Sequence, residues 1–197
     1  MTVINRFLSL LTWCDGQFAV AQHGWSGNPV PVAVPKRNLA FPTAQHWLFS
    51  RQIPSDAKVL RALGHYREAR NADYAGLVSY AVLSYYKVIE GGQNDNDAKV
   101  KAWITTTYPI VDVAHASDPS FAAFRVAVGT MTPEAYLTNE CRRAAAHASR
   151  KSPSDVDDLD ETRRLYVAAS VLRALARRMI SHEFGVSDQH WESAQTS

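Results

Sequence analysis

The chain has 197 residues, 46% of them apolar and 20% charged, the composition of a globular protein of one or at most two domains. A chain this long buries roughly 70% of the surface its unfolded form exposes, so it needs neither disulfides nor a structural metal, and the stapled mini-protein classes are excluded. The 21 Lys and Arg stand against 19 Asp and Glu and leave only +2, too little for a polybasic nucleic-acid wrapper; any anion site must be local.

Residues Asn5 to Cys14 carry apolar positions at helical spacing and stop at Asp15-Gly16. The apolar run from Phe7 to Trp13 is far shorter than the ~20 residues of a membrane span and reads as the first helix. From Gln17 to Pro42 the apolar residues alternate (Phe18, Val20, then Val30, Val32, Val34) among Gly24, Gly27, Pro29, Pro31 and Pro35. That texture predicts a short hairpin or irregular β segment. After Pro54 the pattern turns helical. Ser55 is placed to cap a helix that carries Val59, Leu60, Leu63 and Tyr66 to about Arg70. From Asp73 to Glu90 apolar side chains wrap most of the circumference until Gly91-Gly92, which predicts a central helix or a dimer seam.

Val100, Trp103 and Ile104 mark a short helix expected to end before Pro109, and Phe121, Phe124 and Val128 another that ends at Gly129. Thr132-Pro133-Glu134 opens a helix predicted to run through Leu137, Cys141, Ala144 and Ala148 to Ser152-Pro153. An acidic loop, Asp155 to Asp160, then leads into a long helix with Leu165, Ala168, Leu172, Leu175, Met179 and Phe184 inward, stopped at Gly185-Val186. The expected organisation is a mainly α helical bundle over residues 55–187. It is preceded by a helix with a β or irregular extension over 1–54 and followed by a flexible tail over 188–197.

The strong catalytic words are missing: there is no GxGxxG, Walker loop, HExxH, GxSxG or CxxC. Cys14 and Cys141 lie far apart, so they give neither a disulfide framework nor a zinc set, and a reducing cytoplasm fits. The acidic loop lacks the turn glycine of a calcium site and reads as helix entry. No cofactor is indicated. What remains is an Arg-x4-His spacing, Arg142 to His147, with Glu140 before it, Arg143 inside it and Arg150-Lys151 after it. Spacing alone is weak, since roughly 1.6 chance occurrences of Arg-x4-6-His are expected for this composition and a second stands at Arg177 to His182.

Context favours the first copy. His147 lies about 80° from the Leu137-Ala144-Ala148 stripe, at the margin of the core. A histidine beside arginines can exchange protons while the arginines hold an anion, as phosphodiester cleavage requires. Arg142 and His147 are about 140° apart on a regular helix, so they do not face one another within one chain. Two copies meeting across a two-fold axis would supply a cleft with both residue types. The plain alternative is a solvated face of Glu140, Arg143 and His147. Glu90 reads either as a solvent-facing carboxylate or as the group that orients His147 or an arginine. Arg177 and His182 read as cations at a helix C-terminus. Tyr80, Tyr85 and Tyr86 read as core or dimer packing before base stacking.

The stretch Tyr74 to Glu90 with "LVSYAVLSYYKVIE", then "CRRAAAHAS" from Cys141, then "RRLYVAASVLRALARRMISHEFGVS" from Arg163, resembles the HEPN superfamily in its ApeA-like and MauJ-like branches, the latter named for methylamine utilisation. The resemblance implies an antiparallel helical bundle that dimerises with both Arg-x4-6-His motifs lining one cleft. Many such proteins cleave single-stranded RNA without a metal, in toxin, antiphage or RNA-processing settings, and leave a cyclic phosphate; others are noncatalytic modules. Carried over, Arg142 steadies the phosphate and His147 serves as general acid or base, with Arg143, Arg150 and Lys151 binding substrate. The family often places Asn, Asp or His after the motif arginine, where this chain has Arg143. The expected partners are a second copy, RNA and an antitoxin or operon partner, with no membrane. The competing expectation is a noncatalytic dimerisation or partner-binding module accessory to a metabolic or defence operon.

Overall fold

The computed structural model describes residues 2–16, 51–146 and 158–189. They are almost wholly helical, with no strand among the described residues. The expected β or irregular segment lies outside the described residues. Helix α1 (Thr2–Asp15) lays Leu10 and Trp13 on α2 (Ala57–Tyr74). Trp13 meets Tyr66 edge-on at 5.3 Å, and Tyr66 meets Tyr85 at 5.8 Å, which ties α1 and α2 to α3 (Val78–Gly92). Such edge-to-face pairs are each worth about 0.5–1.5 kcal/mol beyond their burial.

Two helix starts differ from the sequence expectation. Asp56, not Ser55, caps α2, because its carboxylate accepts the backbone N–H groups of both Lys58 and Val59. The helix then runs to Tyr74 rather than Arg70, and α3 begins at Val78 rather than Asp73. The reason is a glycine stop: Gly76 takes φ +73, and the Leu77 N–H donates to the Ala72 carbonyl at 2.8 Å. Tyr74, Leu77 and Tyr80, within the stretch whose apolar side chains are expected to wrap the helix, stand exposed.

α3 is the central helix. Ala81, Val82, Tyr85, Tyr86, Val88 and Ile89 are all buried against its neighbours. α4 (Asp97–Ala114), capped by Asn96, passes through Pro109 instead of ending before it. Proline costs a helix its N–H bond to the carbonyl four residues back. Here Pro109 and Thr105 are both exposed, so water can reach that carbonyl, while Val100, Ile104, Tyr108 and Val111 hold the opposite face in the core. α5 (Pro119–Val128) follows an Asp118 cap and stops at Gly129.

α6 spans residues 133–146 in three parts: Pro133–Ala135, a π-helical turn Tyr136–Arg142, and Arg143–Ala146. α7 (Leu159–Arg178) buries Leu165, Ala168, Leu172 and Leu175 against α3, α4 and α5, and passes into a second π turn, Met179–Glu183. Gly185 at φ +64 ends it, with the Val186 N–H on the Ile180 carbonyl at 3.1 Å. Of the tail expected from 188, Asp188 and Gln189 are held. Arg177 donates to the Asp188 carboxylate at 2.6 Å, and Arg51 donates to the Gln189 carbonyl at 2.7 Å. Among the described residues no helix is long and apolar enough to cross a membrane.

Candidate functional site

The π turn of α6 decides how the motif arginine is presented. Hydrogen bonds from i to i+5 put one more residue into each turn than an α-helix holds, so the 100° arithmetic fails across Tyr136–Arg142. Positions four apart stack more nearly in line, and Thr138 and Arg142 both reach α3. Arg164 of α7 clamps the turn from outside. It donates to the Glu140 carbonyl at 3.1 Å and to the Cys141 thiol at 3.4 Å, and lies over the Tyr136 ring at 5.8 Å. Its Nε and Nη2 grip Glu161 at 2.7 and 2.6 Å, and these charge-assisted bonds hold the guanidinium even more firmly protonated. Burial pushes the Cys141 thiol up to about 12, which leaves it un-ionised and inert at neutral pH.

Arg142, not Arg143, faces inward. Its Nη2 donates to Glu90 Oε1 at 2.8 Å, and its guanidinium lies over the Tyr86 ring at 5.5 Å. Tyr86 is itself fixed by Thr138, 3.1 Å from hydroxyl to hydroxyl. The pair is half-buried, with the Arg142 and Glu90 side chains 31% and 19% exposed. Glu90 is therefore not the solvent-facing carboxylate of the plainer reading. Burial raises its pKa, Arg142 opposes that, and the nearby Asp97 and Asp95 raise it again. Five N–H donors sit on a guanidinium, and the Glu90 bond engages one nitrogen, so an oxyanion arriving at Arg142 would compete with or add to Glu90.

The structure thus brings together two of the sequence-derived site residues, Arg142 and Glu90. Arg143 is exposed, and Glu140 contributes a backbone carbonyl to the Arg164 clamp. His147, Arg150 and Lys151 lie outside the described residues. Arg177 and His182 stand in the last turns of their helical segments, as read from the sequence; Arg177 also lies over the Trp13 ring at 4.7 Å and pairs with Asp188, while His182 approaches Arg178 at 3.4 Å. Tyr85 and Tyr86 are core residues, as their helical spacing predicts, whereas Tyr80 is exposed.

The sequence reading missed the roles of Tyr86, Thr138 and Arg164, which act across 52, 52 and 23 or 24 positions from their partners. It also missed a cleft of about 370 Å³ between α2 and α3 that has Glu90 in its lining. Lys58, Arg61 and His65 line it from α2, Lys87 and Glu90 from α3, and Asn94 and Asp95 from the turn that follows. Asn94 and Asp95 both take left-handed backbone angles, φ +55 and +56, and Asn94 accepts a hydrogen bond from the Lys58 ammonium at 2.6 Å. No group of three or more His, Cys, Asp or Glu among the described residues is placed to hold a metal ion.

Comparison with known proteins places this architecture in a family. The family model described as Methylamine utilization protein MauJ matches residues 62–181, which run from within α2 through the π turn of α6 and all of α7 into the second π turn. Neither the curated proteins nor the solved structures contain a match. The matched segment takes in α3, the Arg142 and Glu90 pair and the Arg164 clamp, and it covers more than half of the chain. The chain belongs to the MauJ family.

Proposed function

We propose that the protein is an RNA-binding, metal-independent endoribonuclease of HEPN type, acting as a homodimer in which each copy contributes Arg142 and His147 to one cleft. The observation that supports this reading best is the presentation of Arg142. A charged side chain in mid-sequence is turned inward by a π turn, seated on an aromatic face and steered by a carboxylate. π turns inside helices are frequent at functional sites.

In the proposed reaction one His147 imidazole takes the proton of a ribose 2′-hydroxyl, and the oxygen attacks the adjacent phosphorus. The bond from phosphorus to the 5′-oxygen breaks, and the leaving oxygen takes a proton from the second copy of His147. The products are a 2′,3′-cyclic phosphate and a 5′-hydroxyl, with no change of oxidation state. Arg142 steadies the negative charge on the phosphorane-like transition state, at a bond geometry that Glu90 sets. Arg143, Arg150 and Lys151 hold flanking phosphates. Because the nucleophile belongs to the substrate, the scheme asks no metal to generate it.

The test is to incubate wild type, His147→Ala and Arg142→Ala with mixed single-stranded RNAs in EDTA and to read fragments and end groups. Cyclic phosphate ends from wild type alone support the reading. Equal cleavage by His147→Ala overturns it. A second reading is favoured by one observation: Glu90 already neutralises Arg142, which suits a noncatalytic dimerisation or partner-binding module. The family's description, methylamine utilization, fits such a module in a metabolic operon. Absence of cleavage by a folded wild-type dimer selects this second reading.

A further inference from the structure

The α2 and α3 cleft differs from a second basic hollow among the described residues. Around the hollow lined by Arg70, Arg173 and Arg177, each arginine is answered by an acid: Arg70 and Arg173 by Asp73, Arg177 by Asp188. In the α2 and α3 cleft, among the described residues, neither Arg61 nor Lys87 has a carboxylate within 4.0 Å, and Lys58 is held by a neutral amide instead. The cleft carries three full positive charges against Glu90 and Asp95 in its lining and against Asp56, the α2 cap, which lies in electrostatic reach of Lys58 and Arg61; Glu90 is matched by Arg142. One positive charge is left in excess at a concave site, where low-dielectric walls focus the field on an entering anion.

The shape supports the same class of ligand. Three long cationic side chains from two antiparallel helices converge on about 370 Å³, and a backbone turn with two consecutive left-handed residues forms the lip. Left-handed Asn and Asp cost of order 1 kcal/mol each and persist where the surroundings fix them; here Lys58 and the Asp95 N–H bond to the Glu90 carbonyl at 2.9 Å do so. The Asn94 amide is thereby held at the cleft lip with Lys58. Carboxylate ligands for a cation are too few, since only Glu90 and Asp95 face the cleft and Glu90 is bound to Arg142.

We propose that Lys58, Arg61 and Lys87 bind phosphate groups in this cleft, and that the ligand supplying them is the backbone of single-stranded RNA running from the cleft, past Glu90, to Arg142. The RNA part rests on the ribonuclease reading given above. The phosphate chemistry does not. Glu90 then separates two anion sites: it takes the charge of Arg142 on one side and sets the edge of the phosphate cleft on the other.

The experiment is RNA binding by fluorescence anisotropy over a range of salt, in the His147→Ala background so that the strand stays whole. Arg61→Gln with Lys87→Gln removes two cleft cations; both side chains are exposed, so the fold is kept. Arg6→Gln with Arg125→Gln removes the same charge elsewhere. The cleft pair is expected to weaken binding about tenfold or more, and to lower the slope of log K against log salt by about 1.4, near 0.7 for each single-strand phosphate that is no longer neutralised. The control pair should change both much less. Equal effects from the two pairs, or none from the cleft pair in protein shown to be folded, overturn the proposal. Inorganic pyrophosphate should compete with RNA; pyrophosphate bound through these cations without any RNA binding keeps the phosphate chemistry and overturns the polynucleotide. RNA bound through the cleft but never cut by wild type sinks the ribonuclease reading alone. RNA cut by wild type with the cleft pair silent sinks the cleft alone.

Discussion

Replacing Arg142 with methionine removes a guanidinium but keeps an apolar side chain of similar length over Tyr86. Glu90 is left half-buried, with Asp97 and Asp95 near it and its bonded cation gone. The magnitude follows from exposure. Exposed ion pairs contribute about 0–1 kcal/mol, and breaking a fully buried one costs about 3–5 kcal/mol. Side chains 31% and 19% exposed at 2.8 Å stand between those limits, so the loss at neutral pH should be about 1.5–2 kcal/mol. The pH dependence has a definite sign. Burial already raises the Glu90 pKa in the folded chain, and loss of Arg142 raises it further. A group with a raised folded pKa stabilises fully below its unfolded pKa and loses that contribution as pH rises through the folded value. The variant's deficit must therefore be largest near neutrality and shrink as the pH falls towards the ordinary carboxylate range. Urea unfolding followed by circular dichroism, at about pH 7.5 and about pH 5, measures it. Adding Glu90→Gln to the variant should restore most of the lost stability, because it removes the orphaned charge. A deficit that is the same at both pH values, or that Glu90→Gln deepens, would refute the reasoning.

Leu172, fully buried on α7, should cost about 2–5 kcal/mol on change to Ala, whereas Tyr80→Ser, at an exposed site, should stay within about 0.5 kcal/mol; the same urea titrations compare them. Pro109→Ala should stabilise the protein by only about 1 kcal/mol, short of the ~3 kcal/mol of a fully interior proline, because water already satisfies the carbonyl it orphans, and a gain of about 3 kcal/mol or more would contradict the exposed-carbonyl account. Gly92→Ala should destabilise by about 1–3 kcal/mol, since a Cβ there would collide with the buried Met179 side chain; thermal melting reads the loss. Under native conditions at about pH 8 a thiol reagent should label Cys14 at most, since Cys141 is buried beneath Arg164 with its thiol held protonated, and rapid labelling of both would show the α6 core to be open.

Helical periodicity was a sound guide wherever one face met one core. The buried stripes of α5 and α7, and the all-round apolar surface of α3, follow from spacing alone. Boundaries followed less well, because they depend on competing local bonds. Ser55 and Asp56 are both capping residues, and the carboxylate at 56 reaches two N–H groups. Pro109 stops a helix only where water cannot reach the carbonyl it orphans. The candidate site was half legible. Arg142 stands out through its neighbours in sequence, but Glu90 is 52 residues away and no local pattern links them. The π turn carries no signal that a 100° wheel can register, so the wheel misplaces Arg142. The cleft cations come from two helices, and none of their local patterns announces that they converge.

The wide turn in α6 also bears on how the segment tolerates changes of length. A turn closed by i to i+5 bonds behaves as an α-helix that has absorbed one extra residue, with everything downstream standing where it would in a helix one residue shorter. Deleting a single residue within 136–141 should thus regularise the coil while leaving Arg142 and the start of Arg143–Ala146 in phase with α3. An insertion at the same place has no slack left to use and should swing Arg142 away from Glu90. The spacing between the arginine and the histidine is untouched by either event, since the adjustable length lies upstream of both. Relatives that differ in length before the motif can therefore keep the same angular relation to the central helix, and the number of residues between α5 and Arg142 is a poor guide to whether the site is preserved.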